Sequence, residues 1–148
     1  MMKKPEKIKN VVLSKKIGWI ILAILVFLDA LLDVRRGVEG NPVWQPILNY
    51  VGIQYTPLFV PLVLLFFYLI VKSGAWLTRK VDKVNYKSEE LVLTALVLAY
   101  FVFDIWVLSV DFLGFRLIKN HYYLTPILVV VVLIYSVWAE KKLKKAKS

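Results

Sequence analysis

The 148-residue chain contains no cysteine and a single histidine, His121, and these absences remove several kinds of chemistry. Without cysteine the protein forms no disulfide, has no thiolate nucleophile and holds no metal through sulfur. One histidine excludes a zinc site built from several imidazoles. The sequence also has no glycine-rich phosphate-binding loop, so it indicates no cofactor and favours a non-enzymatic protein over an enzyme.

Acidic residues are scarce, with 10 Asp and Glu against 20 Lys and Arg, while hydrophobic residues make up 59% of the chain. A mean hydropathy of +0.67 exceeds that of ordinary soluble domains. Four apolar segments stand out, at about residues 17–34, 56–71, 91–113 and 122–139. Each is close to the roughly 20 residues that a helix needs to cross a bilayer. The sequence therefore predicts one all-α domain with four transmembrane helices.

The basic residues are unevenly distributed between the connecting regions. Six Lys and Arg precede the first segment, five lie within residues 72–87 and five follow the fourth segment. By the positive-inside rule this distribution predicts a multi-pass protein of the plasma membrane with both termini in the cytoplasm. The basic tails are expected to contact anionic lipid headgroups. Insertion topology accounts for the net charge of +10, so no nucleic-acid partner is expected.

The two halves of the chain share an order of features that indicates a duplicated helical hairpin. An Asp in the first helix of each half, Asp29 or Asp104, is followed by arginine and then by Thr-Pro, at residues 56–57 or 125–126. Because each unit would hold two spans, the halves would be related by an axis along the membrane normal. We expect each Thr-Pro pair to begin a helix, with threonine as the cap, and Pro61 to kink the second helix.

Acidic residues within the first and third segments are the main functional candidates. Asp29 and Asp33 are four residues apart, and Asp104 and Asp111 are seven apart, so each pair shares a helix face. A carboxylate exposed to lipid is costly, and these side chains are therefore expected to face the bundle interior or water. Basic partners are available at the same outer level: Arg35, Arg36, Arg116, Lys119 and His121. Asp33 and Arg36, at a spacing of three, are expected to form a local ion pair.

Two interpretations of these residues remain open. In the first, ion pairs clamp the helices together. In the second, an acidic pocket centred on Asp29 and Asp104 opens outward and binds a cation or exchanges protons. Oxygen ligands from the four aspartates and Glu39 would suit Mg²⁺ or Ca²⁺, but they lack the fixed spacing of a known metal site. The inner halves of the helices offer few ionisable groups for a route to the cytoplasm.

The first outer loop, residues 35–55, is the longest outer connection. Residues 43–51 are predicted to form a short amphipathic helix, either a connector in the membrane interface or a lid over the acidic pocket. An Asp late in the first helix followed by Gly, Glu and Asn-Pro resembles a family of uncharacterised small prokaryotic membrane proteins, many of them archaeal. The matching residues are Asp29, Gly37, Glu39, Asn41 and Pro42. The resemblance implies four helices and joint action of Asp29, Glu39 and Asn41 at the outer face.

Two functions fit these features. The first is a non-enzymatic accessory or scaffold subunit, which packs against a larger membrane complex and has no extramembrane domain of its own. The alternative is a protein that assembles with itself and binds or moves a small cation or protons through Asp29 and Asp104. Enzyme chemistry within the membrane has the least support from the residues, because two carboxylates around a water are the sole catalytic set available.

Overall fold

The computed structural model describes residues 11–38, 43–115, 117–118 and 121–147, and within them 84% of the residues are helical and none lies in a strand. The five α-helices are α1 (Lys15–Arg36), α2 (Gln45–Val51), α3 (Val60–Leu77), α4 (Ser88–Asp111) and α5 (His121–Lys147). A 3-10 helix, Ile53–Phe59, leads into α3, and a π-helical turn, Thr78–Asp82, follows it. The predicted all-α fold is confirmed.

Among the described residues, four helical stretches are long and apolar enough to cross a membrane: Lys15–Arg36, Ile53–Asp82, Ser88–Asp111 and Tyr122–Lys145. The chain is therefore a multi-pass membrane protein. The second and fourth helical stretches extend well past the predicted segments, which ended at residues 71 and 139. Their hydropathy falls at Lys72 and Glu140, but backbone hydrogen bonding continues through these polar residues.

The centre of the bundle is a parallel pair, α1 and α4. Lys15 contacts Glu89 near the start of both helices, and Arg36 contacts Asp111 at the end of both. Between them, a Cβ atom added to Gly18 would lie 2.6 Å from Leu93 Cδ2, so a glycine is needed for this close approach. The first and third spans thus run in the same direction with their ends level.

The other two spans flank this pair. Helix α3 packs against both α1 and α4, whereas α5 packs mainly against α4. The main core consists of buried aliphatic residues from α1, α3 and α4: Leu22, Val26, Ala30, Val60, Val71, Leu93 and Val97. In the most apolar window of α5 only 11% of residues are buried, against 39% in α1. Helix α5 therefore has the most exposed apolar surface of the four spans.

The bundle has two chemically different ends. The aspartate end is where α1 and α4 finish and α3 and α5 begin, and it carries Asp33, Arg36 and Asp111. The lysine end is where α1 and α4 begin, and it carries Lys15, Glu89 and most of the described basic residues. Both ends hold ion pairs that link α1 to α4.

The structure corrects the predicted roles of the Thr-Pro pairs. Thr56 donates its hydroxyl to the carbonyl of Ile53 at 2.6 Å instead of capping an amide, and Pro57 lies inside the 3-10 helix. Pro126 lies five residues beyond the start of α5, so the predicted helix start there is wrong. Pro61 was expected inside the second helix. It lies in the first turn of α3, because the preceding turns are 3-10, and proline is tolerated at that position.

Candidate functional site

Arg36 joins two aspartates from different helices. Its guanidinium pairs with Asp33, one turn earlier in α1, and its Nη1 lies 3.0 Å from Asp111 Oδ2 at the end of α4. The Asp33 side chain is 4% exposed and that of Arg36 18% exposed, so this pair is largely withdrawn from water, whereas Asp111 is partly exposed. We call Asp33, Arg36 and Asp111 the Arg36 clasp. The predicted Asp33–Arg36 ion pair is confirmed, and Asp111 is its additional partner.

Local sequence explains why α1 ends beside the clasp. Gly37 adopts a left-handed conformation with φ 73°, and its N–H donates to the carbonyls of Asp33 and Val34, which closes the helix. Arg35 points elsewhere and lies over the ring of Phe112, 5.2 Å from its centroid. The two adjacent arginines therefore tie the end of α1 to α4 in two ways, one by ion pairing and one by a cation–π contact.

Asp104 is the most unusual polar residue of the bundle. Its side chain is buried on α4, with the residue 2% exposed, and neither carboxyl oxygen has a hydrogen-bond partner within the described chain. It lies within electrostatic range of Asp33 across the α1–α4 contact. A buried carboxylate without a partner carries a large desolvation cost, so Asp104 differs in kind from the paired residues of the clasp.

A partly open cavity of about 50 Å³ lies at the aspartate end beside Asp29 and Asp33, and Asp104 is not part of its lining. Its polar lining includes Asp29, Asp33 and Thr56, and its aromatic lining comprises Trp44, Phe59 and Tyr100. The predicted short helix is confirmed as α2, which places Trp44 and Leu48 against the cavity. The cavity is large enough to hold water.

Asp29 and Asp104 occupy the same level of the parallel pair. Arg36 and Asp111 are 75 residues apart in sequence, and so are Asp29 and Asp104. Because α1 and α4 are parallel and contact each other with this offset, the two aspartates lie at matching depth. Asp29 is half-buried and lines the cavity, whereas Asp104 is in the interior. The two residues of the predicted pocket centre thus have different surroundings.

In the described part of the chain, no group of three or more His, Cys, Asp or Glu residues is placed to hold a metal ion. Two of the four aspartates, Asp33 and Asp111, are paired with Arg36. A proton, unlike Mg²⁺ or Ca²⁺, needs only one carboxyl group. Cation binding by the four aspartates together stays a prediction.

Several predicted site residues fall outside the described residues. These are Glu39, Asn41, Arg116 and Lys119, together with the side chain of His121. Their proposed support of the aspartate end therefore stays a prediction. Within the described chain, Arg35, Arg36, Asp33 and Asp111 come together at this end.

A second clasp, at the lysine end, was not predicted from the sequence. Glu89 Oε2 lies 2.9 Å from Lys15 Nζ on α1, and its Oε1 lies 2.8 Å from Lys72 Nζ on α3. We call Lys15, Lys72 and Glu89 the Glu89 clasp. Nearby, Arg79 donates to the Ser88 hydroxyl at 2.8 Å. The available signal was Glu89 in the first turn of α4, close to the lysine-rich loop. The lysines of that loop were interpreted only as a topology signal.

Hydroxyl groups hold the segment before α1 against the bundle, and these too were missed. Thr94 accepts a hydrogen bond from the Leu13 amide at 2.9 Å and donates to the Glu90 carbonyl at 2.6 Å. Tyr135 on α5 donates to the Val11 carbonyl at 3.0 Å. The segment is thereby attached to two helices that are distant from it in sequence.

No protein-family model, curated protein or solved structure matches this chain. The resemblance carried by Asp29, Gly37, Glu39, Asn41 and Pro42 therefore stays a prediction. Among the described residues, the aspartate end holds the buried Asp104 carboxyl group, the Arg36 clasp and the cavity.

Proposed function

We propose that this membrane protein binds a proton at Asp104 and exchanges it with the water at the aspartate end. The observation that carries the proposal is the burial of both Asp104 carboxyl oxygens without a hydrogen-bond partner in the described chain. Burying an ionised carboxylate without a partner costs far more than burying a neutral polar group. Proton uptake removes this charge, and the bundle interior therefore favours a carboxyl group that holds a proton.

The charges around Asp104 support the same state. From α1 it is approached by Asp33, whose partner Arg36 also binds Asp111 at the end of α4. Helix α3 has no charged residue between Val60 and Val71, and the described titratable side chains at the start of α5 are the phenols of Tyr122 and Tyr123. The clasp has already engaged Arg36, so a proton is the simplest neutralising partner for Asp104.

The cavity supports exchange with one side of the membrane only. It is partly open. Asp29 lines it at the level of Asp104, and Asp33 lines it one turn nearer the end of α1. In the other direction, α1 has no charged residue between Lys16 and Asp29, and α4 has none between Glu90 and Asp104. A chain of ionisable groups across the membrane is therefore not supported, and we propose proton binding that responds to the pH at the aspartate end, not proton conduction.

Infrared spectroscopy of the protein in lipid nanodiscs tests this proposal. A buried protonated carboxyl group gives a carbonyl stretching band that ionised carboxylates lack. We expect this band in the wild-type protein at neutral pH, its loss in Asp104→Asn, and its retention in the matched variant Asp111→Asn, whose carboxylate is paired and partly exposed. Absence of the band in the wild type, or its persistence in Asp104→Asn, overturns the proposal.

Two further proposals concern arrangement in the membrane. The exposed basic residues at the lysine end support an orientation with that end and both termini in the cytoplasm of a plasma-membrane protein.

The parallel, level pairing of α1 and α4 supports the duplicated hairpin, since equivalent helices of such a repeat run in the same direction. The two flanking helices differ, however, because α3 contacts both central helices and α5 mainly α4. Any repeat is therefore asymmetric in its packing.

The predicted accessory or scaffold role remains the second candidate. The observation that favours it is that the charged residues of both clasps pair helices with one another, as expected for a mainly structural membrane subunit. Native mass spectrometry after gentle extraction distinguishes the candidates. A stoichiometric foreign protein supports the accessory role. A monomer or homo-oligomer without a foreign protein contradicts it and leaves the proton site to be judged by the infrared band.

A further inference from the structure

At the lysine end, two basic segments that are distant in sequence pack against each other. Val84, in the connection between α3 and α4, is 2% exposed and belongs to an apolar cluster with Leu91 of α4 and with Ala139 and Leu143 of α5. Val11, from the segment before α1, completes this cluster. The α3–α4 connection and the last turns of α5 are therefore held side by side by a shared core.

Lysines surround this small core on its exposed side. Leu143 points inward while its neighbours Lys142 and Lys144 are exposed, which makes the end of α5 amphipathic. The exposed lysines of the two segments are Lys80, Lys83, Lys87, Lys141, Lys142, Lys144 and Lys145, and we call them the basic surface. Asp82 and Glu140 are the acidic residues within the two segments. The surface thus carries a clear excess of positive charge.

Two of these lysines lie over exposed aromatic rings. Lys80 Nζ is 4.8 Å from the centroid of the Trp76 ring, and Lys87 Nζ is 5.4 Å from that of Tyr86. Tryptophan and tyrosine favour the headgroup level of a bilayer, and the lysine ammonium groups extend from apolar stems toward that level. Leu77, next to Trp76, is also 52% exposed on the membrane-spanning helix. The basic surface therefore borders lipid.

The backbone at two of the lysines is also unusual. Lys83 and Lys87 have φ values of 56° and 53°, in the left-handed region where glycine and asparagine are favoured. A non-glycine residue in this region is strained. Between the two lysines, the buried Val84 anchors the turn, and both lysine side chains remain exposed. The turn thus presents two ammonium groups on the same short connection.

We propose that the basic surface is a binding site for the phosphate group of anionic phospholipids. Its charge complements a phosphate, its aromatic rings and Leu77 border the acyl region, and its two segments are fixed in place by the Val84–Leu143 core. Each lysine near an anionic bilayer adds to the electrostatic attraction, so several together select anionic over zwitterionic lipid. This inference is independent of the proton site, which lies at the opposite end of the bundle.

The experiment uses the full chain in nanodiscs of phosphatidylcholine and phosphatidylglycerol, with native mass spectrometry of the lipids that remain bound. We expect phosphatidylglycerol to be enriched over its share in the nanodisc. The triple variant Lys80→Gln, Lys83→Gln, Lys87→Gln should reduce that enrichment at least about tenfold, given the contribution of each charge. A second variant, Lys83→Gly with Lys87→Gly, should reduce it while keeping the left-handed turn without strain.

The matched control removes three lysines from the same end but outside the basic surface: Lys15→Gln, Lys16→Gln and Lys72→Gln. Lys15 and Lys72 are already engaged by Glu89. We expect this control to keep most of the enrichment. Equal losses in the control and the triple variant would show that net charge alone attracts the lipid, and would overturn the proposed site. No enrichment in the wild-type protein would overturn it as well.

Discussion

Arg36 Nη1 lies 3.0 Å from Asp111 Oδ2, which pairs the last residue of α1 with the last residue of α4. The same guanidinium neutralises the more deeply buried Asp33. The charges of the Asp33 and Asp111 carboxylates therefore depend on Arg36 for neutralisation to different degrees. Asp33 has little access to water, whereas Asp111 is partly exposed and can be solvated when its partner is lost.

This difference predicts unequal effects of breaking the Arg36 clasp. Arg36→Gln leaves the buried Asp33 without its cation and should lower the free energy of unfolding by about 3–5 kcal/mol. Asp111→Asn removes only the partly exposed partner and should cost about 1 kcal/mol or less. Thermal unfolding of both variants in the same nanodiscs measures the difference. Equal destabilisation by the two substitutions would contradict the assigned burial.

Replacing Asp104 by an apolar residue should stabilise the protein, in contrast to breaking the Arg36 clasp. Asp104→Val removes a buried polar group without leaving a cation unpaired, and we expect the unfolding free energy to rise by about 1 kcal/mol. The contrasting control is Asp33→Val, which deprives Arg36 of its buried partner and should destabilise the protein. If Asp104→Val destabilises as strongly as Asp33→Val, then Asp104 has a stabilising partner that the described contacts do not include.

Close packing between α1 and α4 should depend on Gly18. A Cβ there would meet Leu93 Cδ2 at 2.6 Å and Cγ at 2.9 Å, and Leu93 is fully buried. Gly18→Val should therefore destabilise the bundle by about 1–3 kcal/mol through overpacking. The Leu93→Ala background provides the control, because the space it opens should remove most of the added cost of the valine. If Gly18→Val destabilises the Leu93→Ala variant as much as the wild type, the clash of the valine is not with Leu93.

The hydroxyl of Thr94 should protect the Leu13 amide from hydrogen exchange. Its Oγ1 accepts from the Leu13 N–H, so Thr94→Val should speed hydrogen exchange at that amide and lower the stability by about 1 kcal/mol. Tyr135→Phe is a useful comparison, since it removes the donor to the Val11 carbonyl and the Tyr135–Thr94 contact but keeps the Thr94 hydroxyl that bonds the Leu13 amide. Slow exchange at Leu13 in Thr94→Val would contradict the assigned hydrogen bond.

The proposed orientation can be measured directly because the chain has no cysteine of its own. Single cysteines replace Tyr50, at the aspartate end, and Asn85, at the lysine end, both of which are exposed. In intact cells a membrane-impermeant maleimide should label Tyr50→Cys, and it should label Asn85→Cys only after permeabilisation. The reverse labelling pattern would invert the topology and place the aspartate end in the cytoplasm.

Hydropathy was sufficient to predict the number of spans, but it underestimated helix length. The predicted second segment ended at residue 71 because Lys72 interrupts the apolar run. The structure continues α3 to Leu77 and adds a π-helical turn to Asp82. Hydropathy measures which residues prefer lipid, whereas a helix persists wherever its backbone hydrogen bonds are satisfied. Proline positions failed for a related reason, since 3-10 turns precede α3 and α5 starts before its Thr-Pro pair.

The candidate site was predictable only where its contacts are local. The Asp33–Arg36 pair follows from a spacing of three within one helix. Its connection to Asp111 needed the direction and offset of α1 against α4, which no single-helix pattern contains. Likewise, Asp104 and Asp111 share a helix face by spacing, yet one is buried and the other reaches the helix end. The different burial of Asp104 and Asp111 follows from their positions in the folded bundle, which the spacing within one helix does not predict.

The two clasps also limit how the bundle can move. Arg36 joins α1 to α4 at one end, and Glu89 joins them through Lys15 at the other. An axial slide of α1 past α4 by one helical turn, about 5.4 Å, would break both sets of ion pairs at once and move Gly18 away from Leu93. A piston-like stroke between these two helices is therefore disfavoured. Conformational change in this protein is instead expected in the first turns of α5, around a fixed central pair, because the last turns of α5 are held by the Val84–Leu143 core.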